Sequence, residues 1–185
     1  VVGLTLIGVA IGFMFGSAGM LVQHLLADRG LAAQRWLLGS LRDDLPVWAV
    51  LVCLAVVGAG LAAGMTRARA MDVSALGDEA ARTMGVSLAK HRAVLFFLSG
   101  VLAAVSVYLA GPIGFVGLIA PHLVRLMAGP GHRTVLPASA LIGAAIVLAA
   151  DCAVRALDLP SGRLPLGVVT SLIGGPVLIA MLRKR

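Results

Sequence analysis

With 185 residues, 60% of them hydrophobic and only 12% charged, and a mean hydropathy of +1.04, the chain lies outside the soluble globular range and reads as a membrane protein. Apolar runs of about 20 residues, the length a helix needs to cross a bilayer, recur without polar/apolar alternation, which predicts an all-α polytopic protein and excludes a barrel. The formal charge of +7 is assigned to the positive-inside bias of membrane loops, and nucleic acid is set aside as a partner.

The first span is expected over residues 1–26. Gly8, Gly12 and Gly16 recur at every fourth position and Gly19 continues their face. Such a stripe lets a second helix approach closely, the favoured reading; the alternative is that it borders a solute pathway, because small side chains leave room. The run begins without an initiator Met and without the basic start or cleavage site of a signal peptide, so a longer parent chain is expected. Residues 27–46 form a polar connection whose middle, "AAQRWLLGSL", predicts a short interfacial helix with Trp36 at headgroup level.

A second span is expected over 47–65, followed by the longest polar loop, 66–92, and a third span over 93–110. In "GPIGFVGLIAPHLVRLMAG", glycines precede an apolar stretch broken by Pro121, which predicts a short or tilted helix over 113–127 packed against protein. "GPGHR" reads as a turn. A fifth span over 135–152 ends at Asp151 and Arg155, "ALDLPSGRLP" turns the chain, and 164–182 makes the last span. Cys53 and Cys152 read as buried free thiols.

These six crossings divide the basic residues unevenly. One side holds Arg67, Arg69, Arg82, Lys90, Arg92, Arg125, Arg133, Arg183, Lys184 and Arg185; the other holds Arg29, Arg35, Arg42, Arg155 and Arg163. The bias places loop 66–92 and the C-terminus in the cytoplasm.

Inside that loop, "SALGDEAARTMG" predicts one short helix. Asp78 and Glu79 sit where a helix N-terminus favours negative charge, and Gly85 suits the C-terminal cap. Asp78 with Arg82 and Glu79 with Arg82 would add a few tenths of a kcal/mol each. Isolated helices below about 12 residues are marginal in water, so this one needs a surface, either its own protein or a cytoplasmic partner.

"LGDEAARTMGV" resembles the coupling-loop motif of permease subunits of FecCD-type ABC importers. "RWLLGSL", "GPIGFVGLIAPHLVRL", "GHRTVLPASALIGA" and "LPLGVVTSLIGGPVLIAML" are similar to further stretches of that family, in the same order. The resemblance covers essentially the whole chain. It implies a fold of ten transmembrane helices, of which residues 1–185 would be the C-terminal part, with about six helices in a single permease domain. It also implies import of an iron–siderophore, haem or cobalamin chelate across the inner membrane. A separate ATP-binding cassette ATPase would supply the energy, and a second permease copy or paralogue would complete a dimer.

On that resemblance, Leu76, Gly77, Asp78, Glu79, Arg82, Met84 and Gly85 form the ATPase-coupling loop. Arg155 corresponds to a docking position for a periplasmic or lipid-anchored solute-binding protein. The residues alone leave a second reading of Arg155 open, an i,i+4 pair with Asp151. Arg163 departs from the family, whose members often carry an acidic residue there.

His24, His91, His122 and His132 show neither pairing nor clustering of the kind metal sites need. No metal, cofactor or catalytic constellation is expected, and no enzymatic activity of the chain itself. An ion-coupled secondary transporter would need ionisable residues at mid-span or half-helices broken at the midplane, and the mid-span positions are nearly free of charge. An intramembrane enzyme using His122 and Asp151 finds no support, since both lie at span ends in different helices.

Overall fold

A computed structural model describes residues 2–25, 38–41, 45–156 and 164–183. The interfacial helix around Trp36, the 157–163 turn, and Arg29, Arg35, Arg42, Arg163, Lys184 and Arg185 lie outside them. Among the described residues the regular structure is all α-helix: α1 (Val2–Leu25), α2 (Val47–Ala75), α3 (Asp78–Thr83), α4 (Leu88–Ala110), α5 (Val116–Ala128), α6 (His132–Ala156) and α7 (Leu166–Arg183). The chain divides into a unit carrying α1, residues 1–37, and a unit spanning residues 38–185.

Of the described helices, α2, α4 and α6 are long and apolar enough to cross a membrane, with shorter apolar segments in α1, α5 and α7. This is a multi-pass membrane fold. At about 1.5 Å per residue, the 29 residues of α2 reach well beyond a hydrocarbon core of about 30 Å. The 13 residues of α5 fall short of it.

One expectation is corrected. The segment 66–75 is not loop, because α2 continues through it to Ala75. "TRARAMDVSA" holds no Gly or Pro, and its alanines and arginines are strong helix formers; apolarity ends at Met65 but helicity does not. The short helix expected around Pro121 is present as α5, with the proline inside it, where neighbouring helices and local adjustment compensate for the lost donor.

Within the second unit, α6 packs on α2, α5 and α7, while α2 also packs on α4 and α5 on α7. Small residues make these contacts. Ala49, Cys53, Gly60, Gly64 and Ala68 form the buried positions of α2. A methyl at Gly60 would come within 2.6 Å of Leu102 Cδ2, and one at Gly174 within 2.5 Å of Phe115 Cβ. In lipid, where apolar side chains gain nothing by leaving the solvent, close backbone approach is what holds helices together. Large side chains such as Phe96, Phe97 and Leu141 point outward, as a lipid-facing surface requires.

The end opposite α3 is tied by backbone. Ser40 N–H donates to the Ala110 carbonyl at 2.9 Å, and Gly167 N–H donates to that of Leu38 at 3.0 Å. A Cβ at Gly167 would run into the Leu38 carbonyl oxygen. Phe115, which precedes α5, adopts φ 67°, a left-handed conformation unusual for a bulky residue. Gly167→Ala is therefore expected to destabilise the fold by about 1–3 kcal/mol, whereas Gly100→Ala, with nothing within 4 Å of the added methyl, is not. Thermal unfolding of the two variants in detergent or nanodiscs checks this.

Candidate functional site

Apart from the pair at the far end of α6, the charged chemistry of the described residues gathers at the end where α2 outruns its apolar part. Two residues, Leu76 and Gly77, separate α2 from α3. Gly77 takes φ 123° and ψ 159°, a conformation open in practice only to glycine. The six residues of α3 then close with a Schellman arrangement. Val86 N–H donates to the Ala81 carbonyl at 2.9 Å, and Gly85 N–H, at φ 79°, to that of Arg82 at 3.0 Å. The cap expected at Gly85 is present.

Between its ends, α3 has a fixed face and an offered face. Ala81 is fully buried against the protein, while Leu76 and Met84 are 73% and 64% exposed. Two large apolar side chains thus flank a charged helix at the polar end of the unit, and Glu79 and Arg82 are exposed between them.

The ion pairing differs from expectation. Asp78 does not turn to Arg82; Arg92, one turn into α4, donates to its Oδ1 at 2.6 Å. A helix of six residues leaves its first acidic side chain free to reach across to the helix that packs beside it. Both partners are more than half exposed, so the pair contributes about 0–1 kcal/mol. Among the described residues neither Glu79 nor Arg82 has an ion-pair partner.

A second polar contact was not foreseen. His132 opens α6, and the carbonyl of Gly131 before it accepts the first bonds of the helix from Thr134 and Val135. Position 131 is therefore the N-cap, and glycine has no side chain to satisfy the free N–H groups of the first turn. Asp72, on the polar extension of α2, does so instead. Its Oδ1 accepts the His132 backbone N–H at 2.9 Å and lies 2.6 Å from His132 Nδ1. An ionised carboxylate can only accept, so Nδ1 carries the proton in this contact.

These bonds, the backbone one first, hold the Asp72 carboxyl below its ordinary value of 3.8. The signal available in the sequence was indirect: a helix start at a glycine, and a lone carboxylate in an otherwise basic stretch.

The remaining singled-out residues lie elsewhere. On α6, Arg155 Nε donates to Asp151 Oδ2 at 2.7 Å, so the i,i+4 alternative forms. Gly8, Gly12 and Gly16 all lie in α1. A methyl at Gly12, Gly16 or Gly19 would meet nothing within 4 Å, so within its own unit that face is open. His122 is half-buried on α5.

Comparison with known proteins gives one consistent answer. The profile of the FecCD transport family matches residues 1–184. The cobalamin import system permease protein BtuC of Halobacterium salinarum is 39% identical over 98% of this chain and 46% of its own length. The hemin transport system permease protein HmuU of Yersinia pestis is 36% identical over 98% of this chain and 54% of its own. The chain thus spans about half the length of these curated relatives. A solved structure of an inward-facing, metal-chelate type ABC transporter superposes with a TM-score of 0.86 at 29% identity, covering 97% of this chain and 58% of that one.

The lowered carboxyl pKa sets a pH window. Because the folded-state value lies below the unfolded one, the Asp72 contribution is present in full above about pH 4 and fades as pH falls through the lowered value. The melting-temperature gap between wild type and Asp72→Asn is expected to close as pH falls below about 4. Thermal melts on either side of that pH test it.

Proposed function

The chain belongs to the FecCD transport family, and we propose that it is the C-terminal part of a permease subunit of a binding-protein-dependent ABC importer. The observation that carries this reading is the α3 surface: a short charged helix, anchored by buried Ala81, that presents exposed Leu76 and Met84 beside Glu79 and Arg82. Apolar anchors with a charged rim are what a protein-docking patch requires. The partner is an ATP-binding cassette ATPase, and the loop from Leu76 to Gly85 is its docking segment. Gly77 and Gly85 set the loop geometry. Asp78 is already engaged by Arg92, so Glu79 and Arg82 supply the free charges for recognition.

ATP-driven rearrangement of the ATPase would push on α3 and shift the permease between inward- and outward-open states. The push acts only if the ATPase contacts differ in the two states. Relatives named for cobalamin and hemin support a chelated-metal cargo, which travels with its own ligands. A second permease copy or paralogue completes the pathway, with the open glycine face of α1 as a packing or pathway surface. On this reading the domain lies in the inner membrane, and the basic-residue bias supports a cytoplasmic side for α3 and the C-terminus. The opposite end docks a solute-binding protein, with Arg155 shared between Asp151 and a carboxylate of that partner.

The test uses the full-length permease with its ATPase subunit. Glu79→Arg/Arg82→Glu preserves net charge and breaks no ion pair among the described residues. It is expected to abolish co-purification with the ATPase or to cut coupled ATP hydrolysis at least tenfold. Unchanged assembly and hydrolysis would refute the docking role of α3.

A further inference from the structure

We propose that Asp72 is a positioning residue for coupling, joining the helix that carries the ATPase-docking segment to the start of α6 so that the two move as one. The inference rests on the docking role of α3 proposed above and adds the route by which a push on α3 enters the membrane bundle.

Four observations converge. First, α2 is continuous from its apolar part to Ala75, and its junction to α3 is tight: Leu76 N–H donates to the Val73 carbonyl at 3.1 Å and Gly77 N–H to that of Ser74 at 3.3 Å. A displacement of α3 therefore reaches the last turn of α2, where Asp72 lies. Second, the cap of α6 comes from 60 positions away in the chain. A local Ser or Asp at position 131 would cap the first turn at the N–H of Arg133 or Thr134, but Gly131 stands there, and the His132 N–H is capped from α2 instead. The cap and the tie between helices are thus one interaction, and separating the helices would uncap α6.

Third, Asp72 Oδ1 takes a second contact, from the His132 ring, which a cap does not need but a tie gains from, since a charge-assisted bond is stronger and more directional than a neutral one. Fourth, α6 packs on α2, α5 and α7, so its first turn is where force spreads furthest. The Asp78–Arg92 pair ties α3 to α4 as well, but it is largely exposed and therefore the weaker tie.

The test separates capping from tying. Asp72→Ala removes both; Asp72→Ala/Gly131→Asp restores a local cap and leaves the tie broken. Gly131 has open space and no positive φ, so the aspartate fits. The full-length permease, its ATPase subunit and its solute-binding protein are reconstituted in proteoliposomes, with cobalamin and haemin as probes. Thermal stability, ATP hydrolysis and solute moved per ATP are measured.

The double variant is expected to recover the wild-type melting temperature and assembly with the ATPase, while solute moved per ATP stays about tenfold down. Recovery of wild-type uptake per ATP would overturn the proposal, leaving Asp72 as a cap alone. A double variant as unstable as Asp72→Ala overturns it too, since the contact would then serve folding. A wild-type complex that neither assembles with the ATPase nor moves either probe would bring down the importer reading, and this inference with it.

Discussion

The carboxylate of Asp72 sits where the two halves of this chain's problem meet. Inside the hydrocarbon, every backbone group must find its partner within a helix or against a neighbouring backbone; beyond it, helix ends must be capped and charges placed. Because α2 does not stop where its apolar run stops, its last turns bring a carboxylate to the bare first turn of α6. Shorten α2 to its lipid-spanning part and α6 loses its cap, α3 loses its stalk, and the polar end of the unit has nothing to organise it.

Packing follows a different rule from that of a soluble core. The buried positions of α2 are two alanines, two glycines and a cysteine, and the large side chains lie outward. A side chain that gains nothing from leaving lipid contributes only by fitting, so the smallest residues make the closest and most specific contacts. The same logic explains the backbone ties at the opposite end, where Gly167 and Gly39 stand close to carbonyl oxygens. A bundle held in this way is stiff along the helices and sensitive to any added atom between them.

Much of this was legible in the sequence. Apolar runs announced α1, α2, α4, α6 and α7, and the sequence of residues 75–86 announced α3 together with its glycine cap, because helix-dipole and capping preferences are local. What was not legible was long-range. Nothing in "TRARAMDVSA" marks a helix end, so hydropathy ended α2 ten residues early while backbone propensity carried it on. Asp78 had a candidate partner four residues away and took one from the next helix instead. Pairing of Asp72 with His132 depends on how α2 and α6 pack, which no local pattern encodes.

The distribution of charge then narrows where recognition can occur. Among the described residues there are four acidic side chains, Asp72, Asp78, Glu79 and Asp151. Three are engaged within the chain: by His132, by Arg92 and by Arg155. Glu79 is the one acidic side chain among them without such a partner, and it lies exposed on α3 between two exposed apolar side chains. An unpaired exposed charge contributes little to folding, but it sets orientation when a partner of opposite charge approaches. The stability of α3 and the surface it offers are thereby carried by different residues: Ala81, Asp78 and the Gly85 cap hold the helix, and Leu76, Met84, Glu79 and Arg82 stay exposed. This separation lets the exposed surface change without loosening the helix.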